Sequence, residues 1–309
     1  MNYIGEVAAL GVVFSWGICT LLFEYSSQRI GSTAINFIKL SSTFIFIGIY
    51  LYFQTDNFWA LKATDEVWLW IGTSGLIGFA LCDQALLTSY RLIGARFTQL
   101  IMTSYPLFAS ITAYFILGET ISLLGFIGMI TIISGLAISI LSRREDSKAL
   151  QIKLPIKGVL LALFSALTQG VGFVLSKKGM MIYENNISND VELIKLIPLA
   201  STQIRALTGF LGIVVIMVLG RKTYSVVSGS KDHKAVFVTF GGTIFGPLLG
   251  VTLLLFALRN ANTGVVSTIV ATLPIVLLIY EVASRRKKIL VQDIIGTLLA
   301  VIGVALFFI

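Results

Sequence analysis

At 309 residues the chain is long enough for one large soluble domain or two small ones, but its composition excludes both. Apolar residues make up 56% and charged residues 12%, against about 45–50% and about 25% in soluble chains. With a mean hydropathy of +0.92, there is too little polar surface to cover a water-soluble globule. The formal charge of +8 would speak for nucleic acid only if the basic side chains gathered into one solvated patch.

Taken in chain order, ten stretches approach the roughly 20 apolar residues that a membrane helix needs. They are 5–23, 33–53, 67–89, 95–117, 121–141, 157–177, 200–219, 236–257, 263–283 and 290–308. None has the alternation of a barrel strand, and helices are the other way to satisfy backbone groups in lipid. The first 28 residues hold no Lys or Arg, so the opening apolar run is read as the first span and not as a cleaved signal. Cys19 and Cys82 both fall inside spans, which leaves no disulfide framework. His233 stands alone in a connector, so no metal cluster is expected. Neither the phosphate-binding P-loop nor the Gly-x-Gly-x-x-Gly fingerprint occurs, and no cofactor is expected.

The chain repeats itself. A shift of 168 lays 70–140 on 238–308 without a gap, matching Gly78 with Gly246, Arg91 with Arg259, Pro106 with Pro274, Gly128 with Gly296 and Gly135 with Gly303. A shift of 166 brings Lys39 to Arg205 and Phe44 to Phe210, and a shift of 150 brings Phe14-Ser15 to Phe164-Ser165. The change of offset assigns most of the extra length to a connector near 178–199. Two five-helix copies, 1–145 and 155–309, follow. Because five is odd, the second copy enters from the opposite face, which is the inverted repeat of many secondary transporters. The expected fold is an all-α integral membrane protein of ten transmembrane helices in two inverted five-helix repeats.

Several short motifs carry a resemblance. Phe14-Ser15-Trp16-Gly17 in the first span, a cation (Lys39) in the second, Tyr105-Pro106 in the fourth and Leu117-Gly118-Glu119 at its end resemble the drug/metabolite transporter superfamily, in particular its EamA-type exporters. The resemblance covers essentially the whole chain. It implies a ten-helix transporter without identifying a substrate. The second repeat has Arg286-Lys287 where the family has a Gly-Glu pair, so a symmetric role there is not expected.

A charge at mid-bilayer costs about 2.5–3.5 kcal/mol on insertion scales, which makes each one a functional candidate. Lys39 and Asp83 fall at similar depth on antiparallel helices. They are read either as a structural salt bridge or with Asp83 as a proton-coupling carboxylate whose protonation releases Lys39 or the substrate. Arg205, the mate of Lys39, has Val251 where a second acid would stand. It either binds an anionic group, which guanidinium suits bidentately, or snorkels to a nearby interface. Asp190 and Glu192 are alternative partners.

Ser74, Gly78 and Cys82, and in register Gly242, Gly246 and Gly250, form small-residue stripes of the kind that allow close helix packing. They are also candidate surfaces for one bundle to rock on another. Pro106 and Pro274 interrupt matched helices, which points to a binding site nearby. Gln99, Thr103 and Tyr105 surround the first and Ser267 and Thr272 the second, with Trp16, Asn36 and Gln169 as further cavity candidates. The substrate-binding set is thus Arg205, Lys39, Trp16, Gln99, Tyr105 and Gln169, with Asp83 for coupling and Pro106, Pro274, Gly78 and Gly246 for hinging and packing. Gly118 is read as a helix C-cap and Glu119 as a charge favouring the N-terminus of the fifth helix.

Of the 23 Lys and Arg residues, 16 lie in alternate connectors on one side. The positive-inside rule makes that side cytosolic, with Arg143-Arg144 and Arg285 to Lys288 among its clusters, and puts both termini outside. The family's usual arrangement is the reverse. The functional expectation is a secondary transporter exporting a small metabolite, amino acid or drug-like compound by alternating access in the cell (inner) membrane. Its partners would be a small-molecule substrate, the lipid bilayer and a proton or counter-substrate, as monomer or homodimer, with no nucleic acid. The alternatives are a lipid-carrier flippase and, from another class, an integral-membrane enzyme, for which no clustered catalytic constellation appears.

Overall fold

The computed structural model describes residues 3–60, 62–120, 122–141, 155–187, 191–260, 266, 269–270, 272–285 and 291–307. Among these, every regular element is a helix: α1 (Ile4–Ile30), α2 (Ser32–Thr55), α3 (Asp65–Gly75), α4 (Cys82–Met102), α5 (Tyr105–Leu117), α6 (Leu123–Leu141), α7 (Ile156–Asn186), α8 (Val191–Leu219), α9 (Thr223–Gly229), α10 (His233–Thr243), α11 (Thr252–Asn260), α12 (Leu273–Arg285) and α13 (Val291–Phe307). Among the described residues, six helical stretches are long and apolar enough to cross a membrane, and shorter apolar helices accompany them. Asp190, Ser267, Arg143-Arg144, Arg286-Lys287 and the first part of the 263–283 span lie outside the described residues.

Two joins are not loops. π-helical turns, Leu76–Leu81 and Ile244–Val251, weld α3 to α4 and α10 to α11. Such turns put an extra residue into a helix and strand backbone groups. Neighbouring side chains take up those groups: Asn36 Nδ2 donates to the Phe79 carbonyl at 3.1 Å and Ser15 Oγ to the Phe245 carbonyl at 2.5 Å. The turns start at Leu76 and Ile244, which are mates in the sequence repeat.

Reversals of direction use single glycines. Gly31 (φ 81°, ψ 159°) turns the chain between α1 and α2, and Gly94 (φ 80°, ψ 162°), in nearly the same conformation, breaks α4 into two helical segments, 82–93 and 95–102; a residue with a Cβ rarely adopts this conformation. The Glu24 carboxylate accepts from the Ala95 amide at 3.0 Å, just past the second bend, as a carboxylate at a helix start should. At the same end of the bundle, Asp232 caps α10 through the Ala235 amide and pairs with Arg29 at 2.6 Å. That amide first, and then Arg29, hold its carboxyl below the usual carboxylate range.

Three expectations are corrected here. The 178–199 segment is not a connector, because α7 continues to Asn186 and α8 starts at Val191, with Pro198 inside it. Helical backbone does not stop where apolar composition does: Lys177 and Lys178 ride on α7, and Gly179 lets it close on Ile71. Arg205 therefore stands at the middle of its helix and is 0% exposed, which rules out snorkelling. Finally, Glu119 does not serve the start of α6. Ser122 Oγ accepts from the Gly125 amide at 3.0 Å there, while Glu119 pairs with Lys177 at 2.7 Å. Gly118 is the left-handed C-cap of α5, as the sequence suggests (φ 70°).

The small-residue stripes both pack, but differently. Along α7, Ser74 Oγ meets the Gly172 carbonyl and Ser176 Oγ, each at 2.7 Å, and Cys82 Sγ meets Ser165 Oγ at 3.1 Å. Along α1, Gly242, Gly246 and Gly250 are notches for the side chains of Phe23, Cys19 and Trp16. The second stripe seats side chains more than it brings backbones together.

Candidate functional site

A cavity opens between α1, α2, α4 and the π turns, lined among others by Trp16, Thr20, Lys39, Phe79, Asp83 and Tyr90. A smaller one reaches Thr103, Tyr105, Leu273 and Pro274. Trp16, Gln99, Met102 and Gln169 line both, so they form the waist of one continuous site. Its walls come from both halves of the chain, and Val251, the sequence mate of Asp83, lines it too.

The Phe14-Ser15-Trp16-Gly17 run can now be read residue by residue. Phe14 points outward at 66% exposure, and Ser15 ties α1 to the second π turn. Trp16 sits against Gly250 and faces the cavity, while Gly17 lets Leu273 and Val276 approach. The motif is the seam between α1 and the second half of the chain.

Polar side chains line the waist in linked pairs. Gln99 Nε2 donates to the Tyr90 hydroxyl and, at 3.3 Å, to Thr20 Oγ1. Gln169 Oε1 accepts from Cys82 Sγ at 3.0 Å. At the broad end, Lys39 Nζ and Asp83 Oδ2 form an ion pair, the structural pairing expected of them. Lys39 is 4% exposed and the Asp83 side chain 15%; the Lys39 ammonium also lies 5.5 Å from the Phe79 ring centroid and 6.0 Å from that of Phe23.

At the narrow end both walls are helix breaks. Before α5, Ser104 Oγ bonds the Ile101 carbonyl at 2.7 Å and the Leu107 amide bonds the Ser104 carbonyl. Before α12, Thr272 Oγ1 bonds the Ile269 carbonyl at 2.7 Å and the Ile275 amide bonds the Thr272 carbonyl. Ile101 and Ile269, Ser104 and Thr272, and Leu107 and Ile275 are all mates in the sequence repeat, so these bonds of the two breaks correspond. Pro106 and Pro274 are therefore second residues of new helices, where the missing amide costs little, and not kinks inside continuous ones.

Of the expected substrate-binding residues, Lys39, Trp16, Gln99, Tyr105 and Gln169 line the site, as do Asp83, Gly246 and Pro274. Arg205 does not. It lies behind Phe79, its guanidinium carbon 4.5 Å from that ring centroid, and Gly78 leaves the room it occupies. Pro106 and Gly78 also stand off the lining. Sequence reasoning misses Thr20, Phe79 and Tyr90, because a hydroxyl or aromatic residue in an apolar helix carries no signal of its direction. It also misses the buried charges Glu24, just past the 5–23 span, and Arg96, at the very start of the 95–117 span. Among the described residues, no group of three or more His, Cys, Asp or Glu is placed to hold a metal ion.

Long apolar helices around an internal site with a buried ion pair define a multi-pass membrane protein. The model of the EamA-like transporter family matches the chain twice, over residues 3–141 and 156–309. The chain belongs to that family and so to the membrane transporters of the drug/metabolite superfamily. No curated protein matches it. A solved structure titled "Crystal structure of protein" is similar in fold, with a TM-score of 0.59 at 16% identity, covering 99% of this chain and 96% of that one.

Proposed function

We propose that the chain is a secondary transporter that exports a small metabolite, amino acid or drug-like compound by alternating access. The observation that carries this reading is the site itself, flanked at one end by two helix breaks with corresponding hydrogen bonds in the register of the sequence repeat. Matched interruptions in the two halves of a chain are where inverted-repeat transporters bind solute. The halves are 1–145 and 155–309, ten spans in two inverted repeats, and the matched π turns support the same division.

In this reading Trp16, Gln99, Tyr105 and Gln169 hold the solute at the waist, Lys39 engages it at the broad end, and Asp83 couples its movement to a proton. Arg205 contributes charge from behind Phe79. Pro106 and Pro274 with Gly78 and Gly246 set the hinging surfaces. The sequence encodes no nucleotide-hydrolysing motif, so the energy comes from an ion gradient or from exchange. The protein works in the cell (inner) membrane, as a monomer or homodimer.

The test is counterflow in proteoliposomes loaded with candidate amino acids, drugs and phosphorylated metabolites, with and without a pH gradient. A saturable counterflow of one class is expected, lost in Gln99→Ala. Asp83→Asn should keep exchange but lose accumulation driven by the gradient. Non-saturable flux with no counterflow would identify a passive pore and defeat the proposal.

A further inference from the structure

The second buried cation of the repeat has no carboxylate partner among the described residues. Arg205 is fully buried, its Nε and Nη1 atoms make no hydrogen bond, its guanidinium carbon lies 4.5 and 5.8 Å from the ring centroids of Phe79 and Phe173, and its Nη2 packs against Gly78. Leaving a guanidinium in this condition is expensive, and a folded protein keeps such a group only when something else requires it. The Phe79 ring is 4.5 Å from Arg205 Cζ and 5.5 Å from Lys39 Nζ. The two cations are therefore no farther apart than those two lengths laid end to end. Asp83 stands on the Lys39 side, just after Phe79 in the same continuous helix.

We propose that Arg205 is the second counter-ion of Asp83: the carboxylate is held by Lys39 in the conformation described above and by Arg205 in the opposite one. Arg205 would thus be a positioning residue, acting on the cycle through Asp83. Three further observations fit this assignment. Lys39 and Arg205 occupy matching places in the two halves, while the mate of Asp83 is Val251, so two pseudo-equivalent cations face a single acid. On this assignment each conformation has one ion pair and one buried cation without a carboxylate. Phe79, which separates Arg205 from the cavity, is part of the π turn Leu76–Leu81, immediately before Asp83. Moving a π turn along a helix swings the side chains that it passes by about 100°, enough to carry Phe79 aside and to re-aim Asp83. Asn36, on α2 one turn before Lys39, holds the Phe79 carbonyl and has an unpartnered Oδ1, so it is placed to keep the turn in its present register.

The assignment rests on the transporter reading for its purpose but not for its measurement. Spin labels at the exposed positions Ile156 and Tyr224, in a Cys19→Ser/Cys82→Ser background reconstituted in lipid, report two conformations by their distance distribution whether or not any solute moves. Lys39→Met leaves Asp83 only Arg205, and the conformation that is minor in the parent should become the majority. Arg205→Met should do the opposite, and Arg205→Lys should follow it in part. Adding Asp83→Asn should abolish both biases. Identical distributions for Lys39→Met and Arg205→Met would overturn the assignment. So would a Lys39→Met protein that folds only when Asp83→Asn is added, since Arg205 would then have failed to receive the carboxylate. A missing counterflow with these opposed shifts intact would defeat the transport reading alone.

Discussion

Removing the carboxylate of Asp83 and removing the ammonium of Lys39 are unequal perturbations of the same ion pair. Breaking a buried pair from one side costs about 3–5 kcal/mol, because a desolvated charge is left behind. Asp83→Asn leaves two buried cations, Lys39 at 4% and Arg205 at 0% exposure, and should incur that full loss. Lys39→Met leaves an acid close to Arg205 and should cost less than half as much. Thermal unfolding of the two purified variants in detergent measures the difference; equal losses would mean that Arg205 does not respond to Asp83. At this scale the sequence is informative wherever burial carries a penalty. Lys39, Asp83 and Arg205 stand out because charge in an apolar helix is costly. Phe79, Tyr90 and Thr20 do not, since they cost nothing wherever they point. The depth of Arg205 is hidden for a related reason: polar residues on α7 and α8 resemble a connector, although a helix needs no apolar composition beyond the bilayer.

Between elements, glycine is used in two physically different ways, and substitution separates them. Gly118 has φ 70° with nothing within 4 Å of an added Cβ, whereas Gly135 is helical and its Cβ would lie 2.6 Å from the Gly296 carbonyl oxygen and 2.7 Å from the Ala300 amide. Gly118→Ala therefore meets backbone strain only, about 1 kcal/mol. Gly135→Ala forces α6 and α13 apart along their main contact. Overpacking of this kind costs about 1–3 kcal/mol where side chains can yield, and more here because the obstacle is backbone. Denaturation midpoints of the two variants should fall in that order, and a larger loss for Gly118→Ala would contradict the packing described. Gly303 meets Ile132 and Gly128 in the mirrored way, so the contact is reciprocal. The pairing of Gly128 with Gly296 and of Gly135 with Gly303 is visible in the repeat, although nothing in the sequence says that the two matched helices pack on each other. The π turns are equally hidden: an extra residue in a helix leaves no mark on composition, and only their matched places in the two halves tie them to the repeat.

For the molecule as a whole, the +8 charge is an argument about orientation, and the structure says which residues can test it. Gly229 at the end of α9 packs against Ile30, where an added Cβ would be 3.0 Å from the Ile30 carbonyl, so α9 lies at the end of the bundle where α1 stops. From there α2 carries the chain 24 residues away to Thr55, about 36 Å at 1.5 Å per residue, and Trp59 follows shortly after. Tyr224 on α9 and Trp59 are exposed at 84% and 51%, at opposite ends of the protein. If the basic excess of the alternate connectors governs insertion, the α9 end is cytosolic. In intact cells a membrane-impermeant maleimide should then label Trp59→Cys and spare Tyr224→Cys, both made on the Cys19→Ser/Cys82→Ser background, with labelling of both after permeabilisation. The reverse pattern would place the termini inside, as is usual in the family. It would also show that the basic excess on one side does not direct this chain, since an inverted repeat presents a similar five-helix unit to the membrane in either sense.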